Sequence, residues 1–166
     1  MRILGIDPGL RLTGYGIVDY AAMHPKLIDG GVIRLTVKTS LATRLAELDK
    51  ELTLLFEEFK PGVCAVEQLY AHYKHPRTAI LMGHARGVIL LAAQRHGVRI
   101  EQFAANRIKQ SVTGHGHAGK LQMQRTIQSL WNLPKPPEPP DVADALAVAL
   151  CCGRYMETRP AEKPSK

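Results

Sequence analysis

The order in which strand-like and helix-like segments follow one another narrows the fold of this chain more than any other feature. Arg2–Asp7 is a short apolar run (Ile3-Leu4-Gly5-Ile6) closed by an acid and the turn pair Pro8-Gly9, the pattern of a buried strand. Thr13–Tyr20 alternates as a second strand and Leu27–Leu35 as a third, with only a short polar link between them, so an antiparallel meander is expected. The pattern then changes. Ser40 suits the N-cap of an amphipathic helix whose Leu41, Leu45, Leu48, Leu52, Leu55 and Phe59 recur three or four residues apart, and Pro61-Gly62 stops it. Val63–Gln68 is a fourth buried strand, again ending on an acid, Glu67. Pro76–His96 reads as a helix that is apolar almost all round, which calls for two partners: its own sheet and a second subunit. Val98–Phe103 is a fifth strand. It is followed by a short helix over Ala105–Val112, the loop Thr113–Gly119 and a helix to Trp131. A connector with five prolines between Pro134 and Pro140 leads to a last helix from Asp141 to about Arg154. A meander followed by strands alternating with helices predicts an α/β fold, a mixed sheet covered on both faces. Residues 1–154 are expected to form one domain and 155–166 a flexible polar tail.

Length and composition agree with a single soluble domain. The chain has 166 residues, 45% hydrophobic and 22% charged, which excludes a disordered or fibrous protein. Its longest strongly apolar run, Gly87–Ala93, is well short of the roughly 20 residues of a membrane-spanning helix, so no membrane association is expected. No secretory leader is recognisable in Met1-Arg2-Ile3 and the residues after it. Cys64, Cys151 and Cys152 form neither a C-x-x-C pair nor a disulfide framework, which favours a reducing cytoplasm.

The formal charge of +7 is unevenly placed. Gln68–Arg125 holds nine basic residues and one acid, Glu101, while the rest of the chain is close to neutral. A basic middle third suits a polyanion, and it equally suits a solvated basic face.

Four acids stand where acids are awkward. Asp7 and Glu67 each end an apolar strand, and site residues of α/β sheets collect at such carboxyl ends. Asp141 and Asp144, at i and i+3 in the first turn of the last helix, share one face. Asp141 would also serve as a helix cap and Asp7 as a turn former before Pro8. Glu67 after four apolar residues needs a partner, and Asp144 lies among Val142, Ala143, Ala145 and Leu146. Oxygen ligands without Cys/His spacing suit Mg²⁺, with Mn²⁺ as a substitute, rather than Zn²⁺. Three or four carboxylates can hold two such ions ~4 Å apart, the arrangement that hydrolyses phosphodiesters.

Tyr70 follows Glu67 closely, with Tyr73, Lys74 and Arg77 behind it; it can stack on an unpaired base or pack a loop onto the core. The loop Thr113–Lys120 is glycine-rich but lacks the Walker A spacing, so it either carries Lys120 to a phosphate or simply joins two helices. His115 and His117 within it are expected to face solvent.

Taken together, Gly5-Ile6-Asp7-Pro8-Gly9 with Thr13-Gly14-Tyr15-Gly16, Val66-Glu67-Gln68, Ala85-Arg86-Gly87, Ile108-Lys109-Gln110 with Thr113-Gly114-x-Gly116-x-Ala118, and Asp141-x-x-Asp144-Ala145-Leu146-Ala147 resemble the RuvC family of Holliday-junction resolvases, in order and over nearly the whole chain. The resemblance implies an RNase H-like five-stranded fold and a homodimer. Each subunit would nick one of two symmetry-related strands of a four-way DNA junction in recombination and repair. By motif position Asp7, Glu67, Asp141 and Asp144 would be the catalytic Mg²⁺ ligands, two ions per subunit. Tyr70 would be the base-stacking aromatic, and Lys109 and Lys120 would contact phosphates, with Lys74 and Arg77 as further DNA contacts. The RuvA–RuvB branch-migration complex would be a partner. In this chain Gly119 stands where an acid often precedes the lysine. The alternative is another RNase H-like nuclease that processes RNA.

Overall fold

The computed structural model describes residues 1–22, 24–69 and 76–158. Five strands and five helices follow the expected order. The strands are β1 (Arg2–Asp7), β2 (Leu12–Asp19), β3 (Lys26–Arg34), β4 (Val63–Glu67) and β5 (Arg99–Phe103). The helices are α1 (Leu41–Phe59), α2 (Pro76–Arg95), α3 (Ala105–Thr113), α4 (Lys120–Leu130) and α5 (Pro140–Thr158). The sheet order is β3-β2-β1-β4-β5; the meander pairs are antiparallel, while β1–β4 and β4–β5 are parallel.

Side chains alternate strictly across this sheet. Leu4 and Ile6 of β1 with Cys64 and Val66 of β4 pack under α1 and α2, on Leu48, Leu52 and Ile89. Ile3 of β1 with Val63 and Ala65 of β4 face the opposite layer, where Ala147 and Leu150 of α5 meet Ile108 of α3 and Ile127 of α4. The Ser40 side chain caps α1 by accepting from the Thr43 N–H, and Lys60 ends that helix in the left-handed region at φ 46°.

α5 is the central element of the second layer. Every residue from Ala145 to Gly153 is buried, and the face towards the sheet is small: Ala145 and Ala149 rest against β1. A side chain at Gly5 would place its Cβ 2.2 Å from the Ala145 carbonyl oxygen, and one at Gly14 of β2 2.1 Å from that of Asp141. Helix and sheet therefore touch backbone to backbone, closer than any other residue allows.

The chain stays ordered past the expected domain end at Arg154. Tyr155 stacks edge-on against Phe103, with centroids 5.5 Å apart, and the Arg107 guanidinium lies 4.7 Å over its ring. Tyr20 donates its hydroxyl proton to Glu157 at 2.9 Å. An aromatic clamp and an anchoring hydrogen bond extend α5 to Thr158, where sequence polarity alone suggested a tail.

Candidate active site

β1 and β4 are parallel neighbours, with Ile6 opposite Val66, and each strand's next residue is its acid. The period of two sends Asp7 and Glu67 to the α5 side. Asp7 is also registered against Gly14 on β2, the glycine on which the first turn of α5 rests. That contact brings Asp141 and Asp144 to the strand ends. The turn after Asp7 is locked by buried Thr13, whose Oγ1 donates to the Gly9 carbonyl at 2.6 Å.

A cleft of about 250 Å³ results, lined by Asp7, Glu67 and Asp144, by Lys109 and Lys120, and by the apolar wall Ala105, Ile108 and Met123. Burial, then the charges of Asp144, Glu67 and Asp141, push the Asp7 carboxyl up to about 8, against the pull of Lys120. Burial and the charge of Asp144 raise Glu67, opposed by Lys109. Burial also raises Asp144, helped by Asp141 and opposed by Lys120 and Lys109. Asp141 stands at the edge of this group and faces a neighbouring cleft. The other three acids thus all act on Asp7.

These residues fit hard divalent cations. None of the four carboxyl groups has a hydrogen-bond or ion-pair partner among the described residues, and Lys109 and Lys120 offset their mutual repulsion only in part, which a divalent cation would relieve. Among the described residues no three acids, histidines or cysteines are drawn together into a ready-made cage. Like charges hold one another apart, and Mg²⁺ characteristically takes one or two carboxylates plus water and substrate phosphates rather than an all-protein cage.

The lysines are placed by secondary structure. Lys109 lies in α3 and is half-buried; Lys120 is the first residue of α4. The loop between them is compact. Thr113 Oγ1 donates to the Lys109 carbonyl at 2.9 Å, Gln110 Nε2 donates to the Gly114 carbonyl at 2.8 Å, and Ala118 plugs into the core. His115 and His117 are exposed, as expected. Arg77 is exposed at the start of α2. Tyr70 and Lys74 lie outside the described residues.

Sequence reading missed a second cleft, of about 840 Å³, lined by Gly9 and Asp141, near Asp7 and Asp144 in the chain, and by Arg11, Arg34 and Arg44. These residues lie far apart in a segment whose net charge is near zero, so averaging along the chain concealed them.

The chain matches the family model described as crossover junction endodeoxyribonuclease RuvC over residues 3–152. It is 45% identical over 161 residues to the crossover junction endodeoxyribonuclease RuvC of Rhodopirellula baltica, covering 97% of this chain and 90% of that one. It is 46% identical to that of Petrotoga mobilis, covering 95% and 96%. Among solved structures it is similar to T. thermophilus RuvC in complex with Holliday junction substrate, with a TM-score of 0.87 and 30% identity over 94% of each chain.

Proposed function

The chain belongs to the RuvC family of crossover junction endodeoxyribonucleases, and on that premise we propose that Asp7, Glu67, Asp141 and Asp144 are its catalytic, metal-binding acids. The protein is a Holliday-junction resolvase that hydrolyses phosphodiesters at the crossover of a four-way junction. One observation carries the site assignment: Asp7 and Glu67 end adjacent parallel strands on the same face and meet Asp144 of α5 in a cleft that also holds Lys109 and Lys120, with Asp141 at its edge.

Divalent cations, two Mg²⁺ in this reading, would activate water and stabilise the leaving oxygen when held by these carboxylates. The protein's own residues set the geometry. Asp7 and Glu67 are fixed by the rigid central strands, and Asp141 and Asp144 by the first turn of α5. Lys109 and Lys120 approach from α3 and α4 and attract phosphates of the strand beside the scissile bond. The apolar wall of Ala105, Ile108 and Met123 limits water access and strengthens each charge interaction. Tyr70 would stack on a base at the opened crossover, with Lys74 and Arg77 as further DNA contacts.

A two-fold junction asks for a two-fold enzyme, and α2 supports a homodimer. Ala85, Ile89, Ala92 and Ala93 face inward, while Ile80, His84, Gly87 and Leu91 form an exposed stripe on the opposite side. Ile80 and Leu91 are 63% and 48% exposed, and nothing lies within 4 Å of where a Gly87 side chain would begin. A second copy of the helix fits that flat apolar face. The RuvA–RuvB complex is the proposed partner and the cytoplasm the proposed compartment; no described helix is long and apolar enough to cross a membrane.

The decisive experiment incubates the protein with an end-labelled mobile four-way junction. Paired symmetric nicks are expected with Mg²⁺, none in chelator, and restoration on adding Mg²⁺ back. Trimming of labelled RNA with an intact junction would favour the RNA-processing alternative. Lys120→Gln is expected to lower the slope of log affinity against log salt by about one, the loss of one phosphate contact, measured by junction binding across a KCl series.

A further inference from the structure

The cleft beside the catalytic acids has the chemistry of a nucleic-acid site. Arg11 comes from the turn before β2, Arg34 from the end of β3 and Arg44 from the first turns of α1. None of the three forms an ion pair among the described residues. Arg44 Nε is shut off from solvent and has no hydrogen-bond acceptor among the described residues. A buried guanidinium N–H without an acceptor is costly, and an anionic oxygen beside it would relieve that cost. Between the arginines the surface is apolar, with Leu10, Leu12 and Leu35 among its lining residues. Arginine forks over an apolar floor suit a phosphodiester strand, whose phosphates take bidentate hydrogen bonds while its sugars and bases lie on the floor.

The cleft also lies next to the proposed site of cutting. Gly9 lies just beyond Asp7, and Asp141 is one helical turn from Asp144; both line this second cleft. A strand crossing the four acids leaves Lys109 and Lys120 on one side and enters the arginines on the other.

We propose that this cleft is a second phosphate-binding groove, in which Arg11, Arg34 and Arg44 hold the DNA strand on the far side of the scissile phosphate from Lys109 and Lys120. The groove rests on the reading that the strand is cut at the four acids. It gives that strand a direction: from the lysine cleft, over the carboxylates, into the arginine cleft. Two grips flanking the cut would hold the phosphate still while the rest of the junction remains free to rearrange.

The test uses the full-length chain and a four-way junction. Arg11→Gln/Arg34→Gln alters two exposed side chains, and Arg44→Gln is made separately. Junction affinity is measured in chelator across a salt series. The double variant is expected to lose about two from the salt slope, with Lys120→Gln as the one-contact reference. Junctions carrying a neutral methylphosphonate at single positions around the cut then locate the contact. Neutral phosphates on the arginine side should weaken wild-type binding and have no further effect on the double variant. An unchanged slope with a wild-type methylphosphonate pattern would overturn the groove, as would a variant that merely dissociates into monomers by sedimentation while its slope stays the same. The catalytic reading fails separately, through wild-type protein that does not nick the junction in Mg²⁺.

Discussion

Asp7→Asn is expected to abolish junction cleavage while leaving junction binding in chelator nearly unchanged. Asp7 is the acid on which the other three converge, and the amide that replaces it cannot serve as an anionic ligand. Losing the charge stabilisation that a correctly held divalent ion supplies removes several kcal/mol from the transition state, a fall of at least about a thousand-fold in rate. The same substitution should stabilise the fold. A carboxyl held at about 8 instead of its ordinary 3.8 is destabilised by burial and by like charge, at about 1.4 kcal/mol for each factor of ten in proton affinity. At neutral pH the unfolded chain gains by ionising Asp7 while the fold keeps it protonated; an amide carries no such penalty, so the melting temperature at pH 7 in chelator should rise by ~3–8 °C. An inactive variant that melts higher cannot owe its inactivity to unfolding. Normal nicking by the variant would falsify the role of Asp7, and a lower melting temperature would contradict the electrostatics of the cleft.

Gly14→Ala is expected to impair both fold and catalysis without touching a charged group. The added methyl would meet the Asp141 carbonyl oxygen at 2.1 Å and its backbone carbon at 2.7 Å, contacts that no rotamer change relieves. α5 must lift from β2, an overpacking strain of about 3 kcal/mol. The lift moves Asp141 and Asp144 away from Asp7. Displacing reacting groups by about 1 Å costs on the order of a hundred-fold in rate, so turnover at saturating junction should fall by at least that factor and the Mg²⁺ requirement should rise. Gly62→Ala is the control, because its Cβ would meet only the Arg2 carbonyl at 3.8 Å. Equal activity in the two alanine variants would show that the close approach is unimportant to the site.

The acid-terminated strands were legible because a short apolar run closed by an acid stands out in the sequence, and the period of two then fixes which face that carboxylate occupies. The four acids as candidates, the meander, the five helices and the exposed histidine pair follow from patterns within ten or twenty residues of one another, whereas Lys109 was singled out only by the family resemblance. What was not legible depends on distances between remote segments. Gly14 looks like an ordinary turn-rich glycine until Asp141 is seen resting on it. Arg11, Arg34 and Arg44 disappear into a neutral average until three elements converge. Tyr155 reads as the start of a tail, because its partners Phe103 and Arg107 belong to another part of the chain. The apolar character of α2 was likewise visible, but only the fold separates its buried face from its exposed stripe.

The central place of α5 bears on when this enzyme becomes dangerous to DNA. Ribosomes deliver a chain from its N-terminus at roughly 5–20 residues per second. The meander, β4 and β5, with Asp7 and Glu67, precede α5 in the chain, and one side of the sheet has no α5 to cover it until that helix is made. The same late helix brings the remaining two acids. A nascent or truncated chain is therefore incompletely buried and, on the proposed assignment, lacks two of its four catalytic acids. Completion of the core and arming of the nuclease are one event.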